Sequence, residues 1–175
     1  VGREGGDQKA AVVIVVPLTW GEVYRAGEAA LQREISNLKK KRKDAHGADV
    51  GALGGLQIHF VGCLGETAVA KHYNLYWRAT DFGAVDVGER FEVRAAYNGE
   101  HKRLPLYDRD SSDLPFILAH VIPAKLPNVM LAGWVYGWEG KQREYFGEAN
   151  PNKPTGRTAY WVPNSLLHAM EDLRI

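Results

Sequence analysis

An α+β fold, with helices flanking one mixed or antiparallel sheet, is what this sequence predicts. Before residue 74 apolar residues recur at helical spacing, and after residue 84 they alternate with polar ones, the period of a half-buried strand. Helices first and a meander of strands afterwards segregates the two kinds of element, unlike the regular alternation of a parallel α/β sheet. The length agrees. A chain of 175 residues suits one domain, and 45% hydrophobic against 25% charged residues gives it enough apolar material for a core. We place that domain at residues 10–175, after a Gly-rich polar tail at residues 1–9.

The elements follow in order. Residues 10–16 are β-branched and bounded by Pro17, which predicts a short strand. Thr19 and Glu22 have capping-box spacing, so a helix starts there. Val23, Ala26, Ala30, Leu31, Ile35 and Leu38 give it one apolar stripe. Lys39, Lys40, Lys41, Arg42 and Lys43 close it, where positive charge suits the negative end of the helix dipole. Residues 46–55 read as a Gly-rich loop. A second helix runs from about Phe60 to Asn74, with Gly62 and Gly65 inside it as places for close backbone approach. Strands are predicted at 91–97, 104–107, 115–122, 129–136 and 159–162. A helical turn falls within 137–146, a polar loop at 147–158, and a final short helix from Asn164 or Ser165 through Met170.

Several function classes have no support. Cys63 is the only cysteine, which excludes an intrachain disulfide and a cysteine-based zinc site and fits a reducing, cytoplasmic setting. The apolar run at 10–18 is too short to span a bilayer, so no membrane partner is expected. No phosphate-loop lysine, dinucleotide-binding glycine fingerprint or nucleophile elbow is present, and the six histidines lack metal-ligand spacing. The acidic stretch at 108–113 lacks the glycine and terminal Glu of a calcium loop and reads as a hairpin connection. With a net charge of +1, any nucleic-acid surface must be local. Lys39 to Lys43 and the pair Lys141 and Arg143 are the candidates for phosphate contact; the first group also reads as a solvated helix end.

The chemistry centres on four residues. Alternation along residues 91–95 turns Phe91, Val93 and Ala95 to the core and leaves Glu92 and Arg94 together on the other face. Asp86 lies in a second short extended piece just upstream, and two such segments side by side bring Asp86 and Glu92 close. Two carboxylates are the minimum that holds Mg²⁺, a hard ion that keeps several waters. Glu66 sits among apolar neighbours in the second helix, an unusual place for a merely solvated acid. The same Glu92 and Arg94 also read as an ion pair on a solvated strand.

Glu66, then Asp86, then Glu92-Val93-Arg94 resembles the pattern of the PD-(D/E)XK nuclease superfamily. The wider layout resembles a group of uncharacterised phage and prophage proteins through Leu18-Thr19-Trp20, Asp44-Ala45-His46-Gly47 and the run from Gly62 to Lys71. That likeness continues at Asp86-Val87-Gly88, Phe116-Ile117-Leu118, Gly133-Trp134-Val135 and Tyr160-Trp161-Val162-Pro163. The nuclease resemblance implies a restriction-endonuclease-like core and metal-dependent hydrolysis of DNA with Mg²⁺ or Mn²⁺. Asp86 and Glu92 would hold the ion, Glu66 a water or second ion, and Arg94 the scissile phosphate. The superfamily pattern has Lys at the position of Arg94. An arginine keeps the charge and bidentate phosphate contacts but does not act as a base. A module of the same fold that binds DNA or protein without hydrolysis is the alternative.

Overall fold

The computed structural model describes residues 13–40, 51–79, 85–97, 103–148 and 158–174. The tail at 1–9, the first residues of the predicted strand, Lys41, Arg42, Lys43, the start of the predicted loop at 46–50 and most of the polar loop at 147–158 lie outside the described residues. The fold is α+β: two helices pack against a mixed four-stranded sheet, and a small antiparallel sheet accompanies it.

Strand β1 (Ile14–Pro17) leads into helix α1 (Trp20–Lys39). The predicted capping box is present: Glu22 N–H donates to the Thr19 hydroxyl at 3.2 Å, and Thr19 N–H donates to the Glu22 carboxylate at 2.6 Å. The predicted apolar stripe needs correction. Val23, Ala26, Ala29 and Ala30 are buried, whereas Leu31, Ile35 and Leu38 are exposed. Alanines form the inner face, and the large side chains turn outward.

Helix α2 (Gly51–Tyr73) starts before the predicted Phe60, so the glycines at 51–55 belong to a helix rather than a loop. A Cβ at Gly55 would collide with the Glu34 carboxylate of α1. Asn74, in the left-handed conformation with φ 52°, ends α2, and Leu75 N–H donates back to Ala70 O at 2.8 Å. Of the two internal glycines, Gly65 matches the expected close approach. A Cβ there would stand 3.0 Å from that of Ala95 and 3.1 Å from that of Ala119. At Gly62 the nearest such neighbour is a Glu66 oxygen 3.9 Å away, so no approach of that kind occurs.

The remaining strands are β2 (Glu92–Tyr97), β3 (Arg103–Leu106), β4 (Pro115–Val121), β5 (Asn128–Tyr136), β6 (Phe146–Glu148) and β7 (Thr158–Pro163). They form two sheets rather than the one expected. The larger has the order β1-β5-β4-β2 with β2 parallel to β4, and the smaller is antiparallel in the order β3-β7-β6. Strand β6 falls where a polar loop was predicted, and the final helix is two 3₁₀ turns, Asn164–Leu166 and Met170–Asp172. Between those turns His168 exchanges backbone hydrogen bonds with Trp134 of β5 at 2.8 and 3.1 Å, which pulls the chain straight.

Side-chain alternation on β4 explains the layers. Ile117, Ala119 and Val121 face one core with α1 and α2, while Phe116 and Leu118 face a second core with Leu104, Leu106 and Val162 of the small sheet. The larger sheet is therefore covered on both faces, and all seven residues of β4 are buried. No helix among the described residues is long and apolar enough to cross a membrane.

Candidate functional site

The site begins with a charge on the inner side of α2. Glu66 is buried, and a carboxylate so placed needs partners. It accepts hydrogen bonds from Arg33 Nη1 at 2.7 Å, Arg33 Nη2 at 2.6 Å and Trp77 Nε1 at 2.6 Å. Arg33 Nε donates to Ala79 O at 2.8 Å, fixing the plane of the guanidinium. Burial opposes the Arg33 charge, but the bidentate Glu66 outweighs it and holds the guanidinium above its ordinary pKa. Breaking such a buried pair by removing one partner costs about 3–5 kcal/mol, so these two residues also hold α1 to α2.

The chain then folds back on itself. Val87 bridges both Trp77 and Phe91, closing a tight turn in which Gly88 and Glu89 take φ of 59°. This turn sets Asp86 against the start of β2, where its Oδ2 accepts the Val93 N–H at 2.8 Å. That bond sets the Asp86 carboxyl beside the backbone of the residue that follows Glu92, and the two acids lie close enough for each to act on the other. Burial, then the charges of Glu66 and Glu92, push Asp86 up to about 8. Burial raises Glu92 as well, and the Arg94 charge beside it does not cancel that effect. Two acids so placed resist carrying both charges unless a cation joins them.

Arg94 completes the row. Its Nη1 lies 3.4 Å from Glu92 Oε2, its Nη2 donates to Asp110 Oδ2 at 2.8 Å, and its guanidinium stands 5.0 Å from the centre of the Phe116 ring. Burial disfavours the charge, yet Asp110 and Glu92 raise the pKa of Arg94 above the ordinary arginine value. Its Nε is buried with no hydrogen-bond partner. Asp110 is itself fixed by the Tyr107 N–H at 2.9 Å, and Lys141 Nζ donates to the carbonyls of Asp108, at 3.0 Å, and Asp110.

The predicted residues thus divide. Asp86, Glu92 and Arg94 form one contiguous row. Phe91 and Val93 face the helical core as expected. Glu92 and Arg94 share the other face of β2, which is covered rather than solvated. Glu66 approaches Asp86 from the helical side, close enough for its charge to act there, but both its oxygens are engaged by Arg33 and Trp77. Lys39 and Lys40 are exposed at the end of α1, and Arg143 is exposed in the 3₁₀ turn Arg143–Tyr145; Lys141 reaches the row through Asp110.

Arg33, Trp77 and Asp110 were missed by the sequence reading. Arg33 carried a signal: it lies seven residues after Ala26 and three after Ala30, so a charge occupied a core position and demanded a partner. Asp110 was read only as part of a connecting loop, and nothing local marked Trp77.

The donor chemistry bears on a divalent ion. Asp86 and Glu92 offer hard oxygens at neighbouring positions, and two carboxylates suffice for Mg²⁺ when water and a substrate phosphate complete its shell. Among the described residues, no group of three or more His, Cys, Asp or Glu side chains is disposed to hold a metal ion. Cys63, buried one turn before Glu66, has its thiol pushed up to about 12 by burial and is not a nucleophile. A cavity of about 220 Å³ lined by His120, Met130 and Asn164 lies at the opposite end of β4 from Glu92, and is small for a ligand pocket. Neither the protein-family models, nor the curated proteins, nor the solved structures compared with this chain give a match.

Proposed function

We propose that this protein is a metal-dependent, nuclease-like protein of phage type that hydrolyses phosphodiester bonds in DNA. The observation that carries the reading is the convergence of Asp86, held on the Val93 N–H, and Glu92 at the start of β2 with Arg94 beside them, two acids whose charge a divalent ion would balance. In this reading Asp86 and Glu92 would hold Mg²⁺ or Mn²⁺, which when bound would supply the acidification of a water. Arg94 contacts the scissile phosphate and stabilises the charge that develops on it. Glu66, occupied by Arg33 and Trp77, contributes negative charge from behind and so favours a cation at Asp86. In this reading the exposed Lys39, Lys40 and Arg143 would contact DNA phosphates, while Lys141 braces the loop that carries Asp110. The parallel pairing of β2 with β4 at the sheet edge is compatible with a restriction-endonuclease-like core. A phage-encoded protein of this kind works in the host cytoplasm.

Arg94 favours a second reading, a DNA-binding or protein-interaction module without hydrolysis. Arginine does not deprotonate water, and this one is already engaged by Asp110. Cleavage of single- and double-stranded DNA with Mg²⁺ or Mn²⁺ separates the two. As a nuclease, the wild type cleaves, Asp86→Asn abolishes cleavage, and Arg94→Lys retains or raises it. DNA binding without cleavage by either wild type or Arg94→Lys would assign the protein to the second reading.

A further inference from the structure

We propose that Asp110 is a built-in stand-in for a phosphate at Arg94, and that a substrate phosphate enters the site by displacing the Asp110 carboxylate. This rests on the phosphodiester reading and states how that same site is held closed. An arginine offers two parallel donors along the edge that carries Nε–H and Nη2, and an oxyanion with two free oxygens takes both at once. Here that edge is half used. Nη2 donates to Asp110 Oδ2 at 2.8 Å, while among the described residues the buried Nε has no hydrogen-bond partner. Nη1, on the other side, lies 3.4 Å from Glu92 Oε2 and 3.5 Å from Val93 O, both long contacts. Asp110 uses one oxygen twice, since its Oδ2 also accepts the Tyr107 N–H at 2.9 Å. The carboxylate therefore meets the arginine through a single donor, and the buried Nε–H is left wanting a second oxygen.

The loop that presents Asp110 is fixed by its backbone. Lys141 Nζ donates to the carbonyls of Asp108 and Asp110, Trp138 N–H donates to Ser112 O at 2.9 Å, and Gly137 N–H donates to Leu114 O at 3.0 Å. A Cβ at Gly137 would collide with Ser111 O, so the loop and the helical turn Gly137–Gly140 are in direct contact. What can move is the Asp110 side chain, by rotation between staggered rotamers. Asp108, Arg109, Ser111 and Ser112 around it are exposed, which puts water within reach of a displaced carboxylate. Arg94 meanwhile keeps its place beside the Phe116 ring, 5.0 Å from its centre. A phosphodiester carries one negative charge, as the carboxylate does. The exchange leaves the charge balance at Arg94 unchanged and adds the hydrogen bond that Nε lacks.

Fluorescence anisotropy of labelled DNA with the full chain, in EDTA so that no strand is cut, tests it. Asp110→Asn keeps an acceptor for the Tyr107 N–H but gives up the charge that competes for Arg94. Its dissociation constant should fall about 10-fold. A merely structural ion pair predicts the opposite sign, since its loss would weaken binding or leave it alone. Asp113→Asn removes the same charge from an exposed position on the same loop and should change the constant by less than about 2-fold. Arg94→Gln in the Asp110→Asn background should erase the gain. No gain in Asp110→Asn, with binding or cleavage of DNA by the wild type, would overturn the stand-in and leave the phosphodiester reading in place. So would a gain that Asp113→Asn matches, or one that survives Arg94→Gln. No binding by wild type or Asp110→Asn, and no cleavage by either with Mg²⁺ or Mn²⁺, would remove the phosphodiester reading and the stand-in with it.

Discussion

Asp86 is the residue on which pH should act most visibly. Its ordinary pKa is 3.8, and in the folded chain it rises to about 8, through burial first and then the charges of Glu66 and Glu92. Between those two values the folded state carries a proton that the unfolded state has lost, so stability falls as pH rises. The penalty is absent below the unfolded pKa and complete above the folded one. The melting temperature should therefore decline between about pH 5 and pH 9, and Asp86→Asn should flatten that decline. Added Mg²⁺ should restore stability at the alkaline end, because an ion that binds only the folded state shifts the equilibrium toward it. A decline unchanged in Asp86→Asn would move the titration to another group. At this scale the sequence was readable where strand alternation governs, which is why Glu92 and Arg94 were placed together. It was silent on Asp110 and Trp77, whose roles depend on chain segments 16 residues from Arg94 and 11 from Glu66.

Among the elements, α2 shows how little space the packing leaves. Gly65 lies against Ala95 and Ala119, and any side chain there must push the helix off β2 and β4. Gly65→Val should cost about 1–3 kcal/mol in urea denaturation through overpacking. It should also disturb the adjacent Glu66 and, with it, the site. Gly62→Ala has room, with its nearest such neighbour 3.9 Å away, and should stabilise the helix by about 0.5–1 kcal/mol. Equal destabilisation by both substitutions would mean that Gly62 has no more space than Gly65, since helix propensity favours both replacements. The two glycines look alike in sequence, since only the tertiary approach of β2 and β4 distinguishes them. The stripe on α1 was misread for a related reason. Periodicity joined alanines and leucines in one apolar stripe and could not say that the alanines, not the leucines, face the core.

For the whole molecule, alternation split each strand between two faces but did not foretell that both faces of β4 are buried in two cores, because a period of two carries no information about which sheet lies opposite. Leu64 belongs to the helical core and Leu106 to the one beneath the small sheet, and neither is exposed. Leu64→Ala and Leu106→Ala should each cost about 2–5 kcal/mol, and each should shift a single cooperative unfolding transition. Two separate transitions in either variant would mean that the larger sheet does not couple its two faces. The register of that sheet also sets a timetable. Ile14 pairs with Leu131, and Val16 with Val129, so the first strand waits for a partner synthesised more than roughly a hundred residues later. At ribosomal rates that delay is about 5–25 s, during which α1 and α2 can emerge and meet while β1 has no neighbour. Until β5 leaves the exit tunnel, β1 remains an unpaired extended segment whose backbone groups are open to pairing with another chain.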